Sequence, residues 1–301
     1  MKDQGTRAGF VALVGAPNAG KSTLINTLVG QKIAIVTHKV QTTRNRITGI
    51  TLRGNSQIVF IDTPGIFRDT KRRLERAMVD AAWKGVRDAE ITALLVDAQA
   101  GLSRKVLDLV EDLKKRKVQA ILVLNKIDHM RRDKLLAMAS ELNEKGDFSE
   151  TFMISALTGD GVDDFFDHLA ALVPGGPWLY PEDQMTDVSL RFLASEIVRE
   201  QVFLNLHQEI PYQVAVETTQ WQERRDGSVR IEQNILVERD GHKAMIIGKK
   251  GQMLKKIGEA ARAEMTEVFG RKVHLFLFVK VSPHWSERPF HYREIGLDFV
   301  D

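Results

Sequence analysis

Residues 15–22 read Gly-Ala-Pro-Asn-Ala-Gly-Lys-Ser, a complete GxxxxGK[ST] loop. An apolar strand-like run (9–14) leads into it and a helix-like run (22–28) leaves it, which is the context the motif requires. Successive backbone N–H groups in such a loop, together with the helix N-terminus, form a cradle for phosphate. Gly15, Asn18, Ala19, Gly20 and Thr23 are expected to line it. Lys21 is expected to reach the β- and γ-phosphates and to assist catalysis, and the Ser22 hydroxyl to ligate Mg²⁺. Asn125-Lys126-Ile127-Asp128 specifies the base. The Asp128 carboxylate can accept both N–H donors of guanine, a bidentate and charge-assisted pair. Adenine offers no matching donors and would leave the carboxylate unpaired, so it should be rejected steeply. The nucleotide implied is GTP or GDP.

Three further segments fit that chemistry. Asp62-Thr63-Pro64-Gly65 stands 40 residues after Ser22, behind the apolar run 58–61. Asp62 is expected to hold Mg²⁺ through a water, and the Gly65 N–H to sense the γ-phosphate and act in catalysis. Ser155, Ala156 and Leu157 follow another apolar run and would offer a backbone N–H to the guanine carbonyl oxygen. Between the loop and Asp62 lies Gln41-Thr42-Thr43-Arg44. Thr43, with Thr42 as the alternate, is expected to close over Mg²⁺ when the γ-phosphate is present and to serve as a metal ligand and catalytic group. Loops ordered in this way are a recognised switching device. One group is missing. Ras-type enzymes follow Asp-x-x-Gly with a glutamine that orients the attacking water, and this chain has Ile66. Slow unaided hydrolysis is expected, or another device. Asn18 could help hold K⁺ beside the phosphates, supplying positive charge where an arginine finger otherwise sits.

These residues need a scaffold that gathers loops at one edge. The first part of the chain alternates strand-like runs (10–14, 58–61, 91–96, 120–124, 152–154) with helix-like ones (22–28, 74–87, 105–115, 133–144, 162–172). Such alternation predicts an α/β domain with a mostly parallel sheet. Ligands bind at the carboxyl ends of strands in these sheets, and the motifs fall there. The pattern stops at Pro-Gly-Gly-Pro (174–177), a boundary signal. The expected division is a nucleotide-binding domain over 1–175, a linker over 176–187 and a second domain over 188–301. Thr186-Asp187 offers helix-starting chemistry for a helix over 188–207.

The second half has a different task. Residues 241–251 read Gly-His-Lys-Ala-Met-Ile-Ile-Gly-Lys-Lys-Gly. Two alternating strands (212–221 and 228–238) precede them; a helix-like run and an apolar strand (273–281) follow. Helix, strand, strand, helix, GxxG, helix, strand is the order of an α+β KH domain of type II, which clamps about four nucleotides of RNA at the GxxG loop. From Arg239 to Arg262 there are seven basic and two acidic residues, although residues 181–301 as a whole carry net −2. The basic surface is therefore local and predicts salt-dependent binding. Lys243 and Lys255 belong to it, and Ile246 and Ile247 could floor the bases or pack in the core.

The full chain of 301 residues has net charge +3 and no cysteine. Disulfides and cysteine-based zinc sites are excluded. No run approaches the roughly 18–20 apolar residues of a membrane span, and residues 1–7 lack a signal peptide's apolar region. A cytoplasmic protein is expected, and no lipidation motif or basic amphipathic helix is evident.

The combined motifs, with a single C-terminal KH domain, resemble the Era family of bacterial GTPases across essentially the whole chain. That resemblance implies a slow GTPase and a GTP-dependent conformational switch. It implies binding to the 3′ end of small-subunit ribosomal RNA during 30S assembly, by a monomer with some peripheral association with the inner membrane. It carries Gly248, Lys249, Lys250 and Gly251 over as RNA-contacting positions. Two other readings compete with it: an RNA-binding scaffold with a vestigial GTPase, and a membrane-surface GTPase of cell division. Related tRNA-modifying GTPases need a C-terminal cysteine, which this chain lacks.

Overall fold

The structure is a computed structural model, and it describes residues 5–37, 47–66, 73–206, 213–283 and 285. The chain divides into two compact units, with the main change from the first to the second falling between Asp187 and Val188 and a short stretch beginning at Ile35 also grouped with the second.

The first unit is built on a six-stranded sheet of order β2-β3-β1-β4-β5-β6. Its strands are β1 (Arg7–Gly15), β2 (Ile47–Arg53), β3 (Ser56–Asp62), β4 (Ile91–Asp97), β5 (Ala120–Asn125) and β6 (Phe148–Ile154). β1, β3, β4, β5 and β6 run parallel, and β2 pairs antiparallel with β3. Central strands covered on both faces need apolar residues at every position, and β3 and β5 are buried along their whole length. Among the described residues five α-helices complete the unit: α1 (Lys21–Val29), α2 (Arg73–Asp88), α3 (Arg104–Lys115), α4 (Arg132–Lys145) and α5 (Val162–Leu172).

β2 is absent from the strands expected from the sequence. The signal was a two-residue hairpin: Arg53 pairs with Ser56 around Gly54 and Asn55, with Gly54 at φ 58°. The mixed Ile-Thr-Gly-Ile-Thr-Leu-Arg run is less uniformly apolar than the parallel strands, because β2 lies at the sheet's edge.

The segment expected as a linker is hydrogen-bonded to this unit. Ile50 N–H donates to the Met185 carbonyl at 2.8 Å, and the Thr186 hydroxyl donates to the Thr48 carbonyl at 2.7 Å. The fully buried Gln57 accepts from the Leu179 and Tyr180 N–H groups and donates to the Tyr180 carbonyl. Residues 178–186 thus cover an edge strand that would otherwise expose unpaired backbone groups. Thr186 is spent in this way. The helix that follows is capped by Ser189, whose side chain accepts from the Phe192 N–H.

The second unit contains α6 (Leu190–Asn205), β7 (Val214–Glu223), β8 (Val229–Val237), α7 (Asp240–Ile247), α8 (Gln252–Val268) and β9 (Val273–Val281). Its sheet has order β7-β8-β9, antiparallel then parallel. Val229, Ile231, Ile235 and Val237 of β8 meet Ile197 and Val198 of α6 and Ile257, Ala261 and Met265 of α8 in one core. The three helices therefore cover one face of the sheet. The order is the KH order expected from the sequence.

Candidate functional site

The phosphate loop is shaped by backbone. Asn18 and Gly20 have φ of 67° and 98°, turning successive peptide N–H groups inward as in an anion-binding nest. A Cβ at Gly20 would lie 2.2 Å from Asn125 Nδ2, and one at Gly15 would lie 2.5 Å from the Leu95 carbonyl oxygen. Both glycines are needed for close approach as well as for turning. Lys21 opens α1 and is buried, its ammonium donating to the Gly15 and Ala16 carbonyls at 3.3 and 3.4 Å. Burial pulls its pKa below the ordinary value, and the Asp62 carboxylate opposes that shift. A buried ammonium held by two weakly accepting carbonyls is poised for a stronger anionic partner.

Ser22 follows, and its hydroxyl donates to Asp62 Oδ2 at 2.8 Å. Asp62 ends β3 and is fully buried. A carboxylate and a hydroxyl in direct contact beside the loop are hard oxygen donors of the type Mg²⁺ prefers, so this pair fits the expected ion. The Thr63 hydroxyl donates to the Leu13 carbonyl at 2.6 Å, fixing the turn to β1. A Cβ at Gly65 would lie 2.8 Å from Pro17, so the Asp62–Gly65 backbone passes directly over the loop. Ile66 donates its N–H to the Gly15 carbonyl at 3.3 Å, and its side chain is buried in the core. It presents nothing that could orient a water. Thr42 and Thr43 lie outside the described residues.

The base-side residues form one hydrogen-bonded knot. Asn125 ends β5; its Nδ2 donates to the Ala19 carbonyl and its Oδ1 accepts from the Ala156 N–H, each at 2.9 Å. The Thr27 hydroxyl of α1 donates to the Ala156 carbonyl at 2.8 Å. Phosphate loop, base-reading loop and the Ser155–Leu157 turn are thereby held as one body. Ser155 is buried with its hydroxyl accepting from Thr158 N–H, whereas Leu157 is exposed. Asp128 is exposed in a short 3₁₀ turn.

Sequence reasoning missed Asp97 here. Lys126 Nζ donates to Asp97 Oδ2 at 2.6 Å, while Asp97 Oδ1 accepts from the Gln99 and Ala100 N–H groups. No spacing along the chain signalled it: Asp97 is the last residue of β4, and its register with Asn125 of β5 brings it to Lys126.

A second candidate site lies in the second unit. Gly248, Lys250 and Gly251 have φ of 71°, 51° and 77°, a tight loop between α7 and α8. A Cβ at Gly248 would meet that of Met253 at 2.6 Å. Lys249 and Lys250 are exposed, as is Lys255 on the first turn of α8, while Lys243 is partly covered. Ile246 is fully buried in the core, so it supports the loop from beneath and cannot floor a base; Ile247 packs against the same core and is only partly buried.

Comparison with known proteins follows the same division. A family model described as a 50S ribosome-binding GTPase matches residues 10–126, and a KH domain model matches residues 209–286. A protein of Afipia carboxidovorans named GTPase Era is 57% identical over 294 residues, covering 98% of this chain and 95% of the relative. A Brucella suis protein of the same name is 55% identical, covering 98% and 94%. A crystal structure of Era in complex with MgGDPNP and nucleotides 1506–1542 of 16S ribosomal RNA superposes with a TM-score of 0.92, at 38% identity over 97% of this chain and 99% of that one. An Aquifex aeolicus Era bound to GDP and AlF₄⁻ does so at 0.91, with 37% identity over 97% and 99%.

Proposed function

The chain belongs to the Era family of GTPases, and from that membership we propose that it is a GTP-hydrolysing switch that binds the 3′ end of small-subunit ribosomal RNA and assists 30S subunit assembly. The observation that carries this reading is the pairing, in one chain, of a preassembled guanine-nucleotide site with an exposed Gly-Lys-Lys-Gly loop.

The nucleotide chemistry follows from the geometry. Asp128 reads guanine, and Lys126, oriented by Asp97, lies beside it. Lys21 trades its two loop carbonyls for the β- and γ-phosphates. In hydrolysis a water attacks the γ-phosphorus, the bond to the β–γ bridging oxygen breaks, and GDP and phosphate leave. Lys21 and the loop N–H groups stabilise the charge shifting onto the bridging and γ-oxygens, which is the main catalytic contribution in phosphoryl transfer. Mg²⁺, held by Ser22 and through water by Asp62, with Thr43 as a further ligand, would neutralise the same oxygens. With a buried Ile66 beyond Gly65, the water is oriented by something other than that side chain.

K⁺ beside the phosphates, held with the help of Asn18, is the device we favour. Turnover should then be several-fold faster in KCl than in NaCl at equal ionic strength; equal rates would rule this out.

The RNA function is tested by filter binding. A short single strand matching the 3′ end of small-subunit rRNA is titrated with the protein in GTP analogue, in GDP and without nucleotide. Tighter binding with the analogue is expected. Binding indifferent to nucleotide would separate the two modules and refute the switch. An rRNA partner supports action in the cytoplasm, and among the described residues no helix is long and apolar enough to cross a membrane.

A further inference from the structure

β9 is apolar on both faces, and only one of them is needed. It is the edge strand of the β7-β8-β9 sheet. Val273, Leu275, Leu277, Val279 and Val281 alternate toward the helices and join the core. Side chains at the intervening positions project to the opposite face. There stand His274, Phe276, Phe278 and Lys280, and the two phenylalanines are 42% and 49% exposed. Exposed phenylalanines two residues apart on a sheet face do nothing for the core, and they give up the burial that stabilises such side chains elsewhere.

The surroundings favour a polyanion with planar groups. The Arg230 guanidinium of β8 lies over the Phe276 ring, 4.6 Å from its centre. Arg230 also holds Glu232, the residue paired with Phe276 in the sheet, at 2.5 Å. On β7, Glu217 accepts from Asn234, the residue paired with Phe278. Glu232 is thus ion-paired, and Glu217 is held by a neutral amide. Arg230 and Lys280 bracket the aromatic pair, and Lys272 precedes β9. Aromatic rings interleaved with cations on a sheet are a platform for stacking unpaired bases, with the cations taking the phosphates.

This face is separate from the Gly-Lys-Lys-Gly loop. α7 and α8, which carry the loop, cover the other side of the sheet. A KH loop clamps about four nucleotides, whereas the RNA in the related Era complex spans nucleotides 1506–1542. A longer RNA has chain to spare for a second contact. We propose that the outer face of this sheet is a second RNA-binding surface, on which unpaired bases stack against Phe276 and Phe278. The proposal rests on the RNA-binding reading given above.

The test compares two labelled RNAs by fluorescence anisotropy. One matches the full segment 1506–1542, and the other is a single strand of about six nucleotides, enough for the loop alone. Phe276→Ala with Phe278→Ala should weaken the long RNA about tenfold or more and leave the short one unchanged. Both side chains are exposed, so the thermal melt should not move. Phe276→Tyr with Phe278→Trp should restore binding, and the new tryptophan should be quenched by the long RNA. Wild-type affinity of the double alanine variant for the long RNA would overturn the proposal. So would normal RNA binding combined with lost 30S association, which would make this face a protein-docking surface. If the wild type binds neither RNA, the functional reading falls, and this inference with it.

Discussion

Gly20 shows how much one residue can decide. Its φ of 98° lies where side chains are strained, and the Asn125 amide fills the space a Cβ would take. Asn125 in turn fixes the Ser155–Leu157 turn through Ala156. Gly20→Ala therefore strains the backbone and displaces the side chain joining three loops. The cost should be about 1–3 kcal/mol in urea unfolding of the first unit, and guanine-nucleotide affinity should fall by at least tenfold in a fluorescent-GDP titration. Unchanged affinity would show that the three loops are set independently. Residue types and spacing announced this site well, because a phosphate loop permits few alternatives at each position. They did not announce Asp97. Its role depends on β4 and β5 being neighbours in register, which no spacing along the chain encodes.

At the scale of elements, α7 carries a titration that makes the stability of the second unit depend on pH. His242 is buried, and its Nε2 accepts from Arg239 Nε at 3.0 Å. Burial first, and the Arg239 charge second, hold its pKa below the usual 6.5, against a smaller pull from Glu238. The native imidazole thus stays neutral where the unfolded one takes up a proton. Its contribution is fully present above about pH 6.5 and is lost as pH falls from there toward the lowered native value, at up to about 1.4 kcal/mol per pH unit. Urea midpoints of the second unit should drop between pH 6.5 and 5 in the wild type and drop less in His242→Gln. Parallel curves would remove His242 from the account. Other elements show where local signals compete. Thr186-Asp187 reads as a helix start, yet Thr186 pairs with β2 and Ser189 caps α6. Both are good caps by type, and the choice was made by the edge of a sheet more than a hundred residues earlier in the chain.

For the whole molecule, charge is distributed so that binding is local. Net charge is only +3, while Arg239–Arg262 concentrates seven basic residues around the loop. RNA affinity should fall with salt, and Lys249→Asp with Lys250→Asp should reduce the log–log salt slope by roughly one to two and leave basal GTP hydrolysis intact. A slope unchanged by that double variant would move the RNA surface elsewhere. The sequence by itself determined the two domains, the guanine chemistry and the KH order, because each is written in short motifs and in periodicities that neighbours along the chain enforce. Only the tertiary structure decided that residues 178–186 seal the β2 edge through Thr48 and Ile50 and are anchored by Gln57 of β3, that Asp97 orients Lys126, and that Ile246 is core while Lys249 and Lys250 are surface. Those outcomes depend on which strands become neighbours and which face of an element is covered. They are settled by burial and hydrogen-bond satisfaction between segments far apart in the chain, and a local pattern carries no record of them.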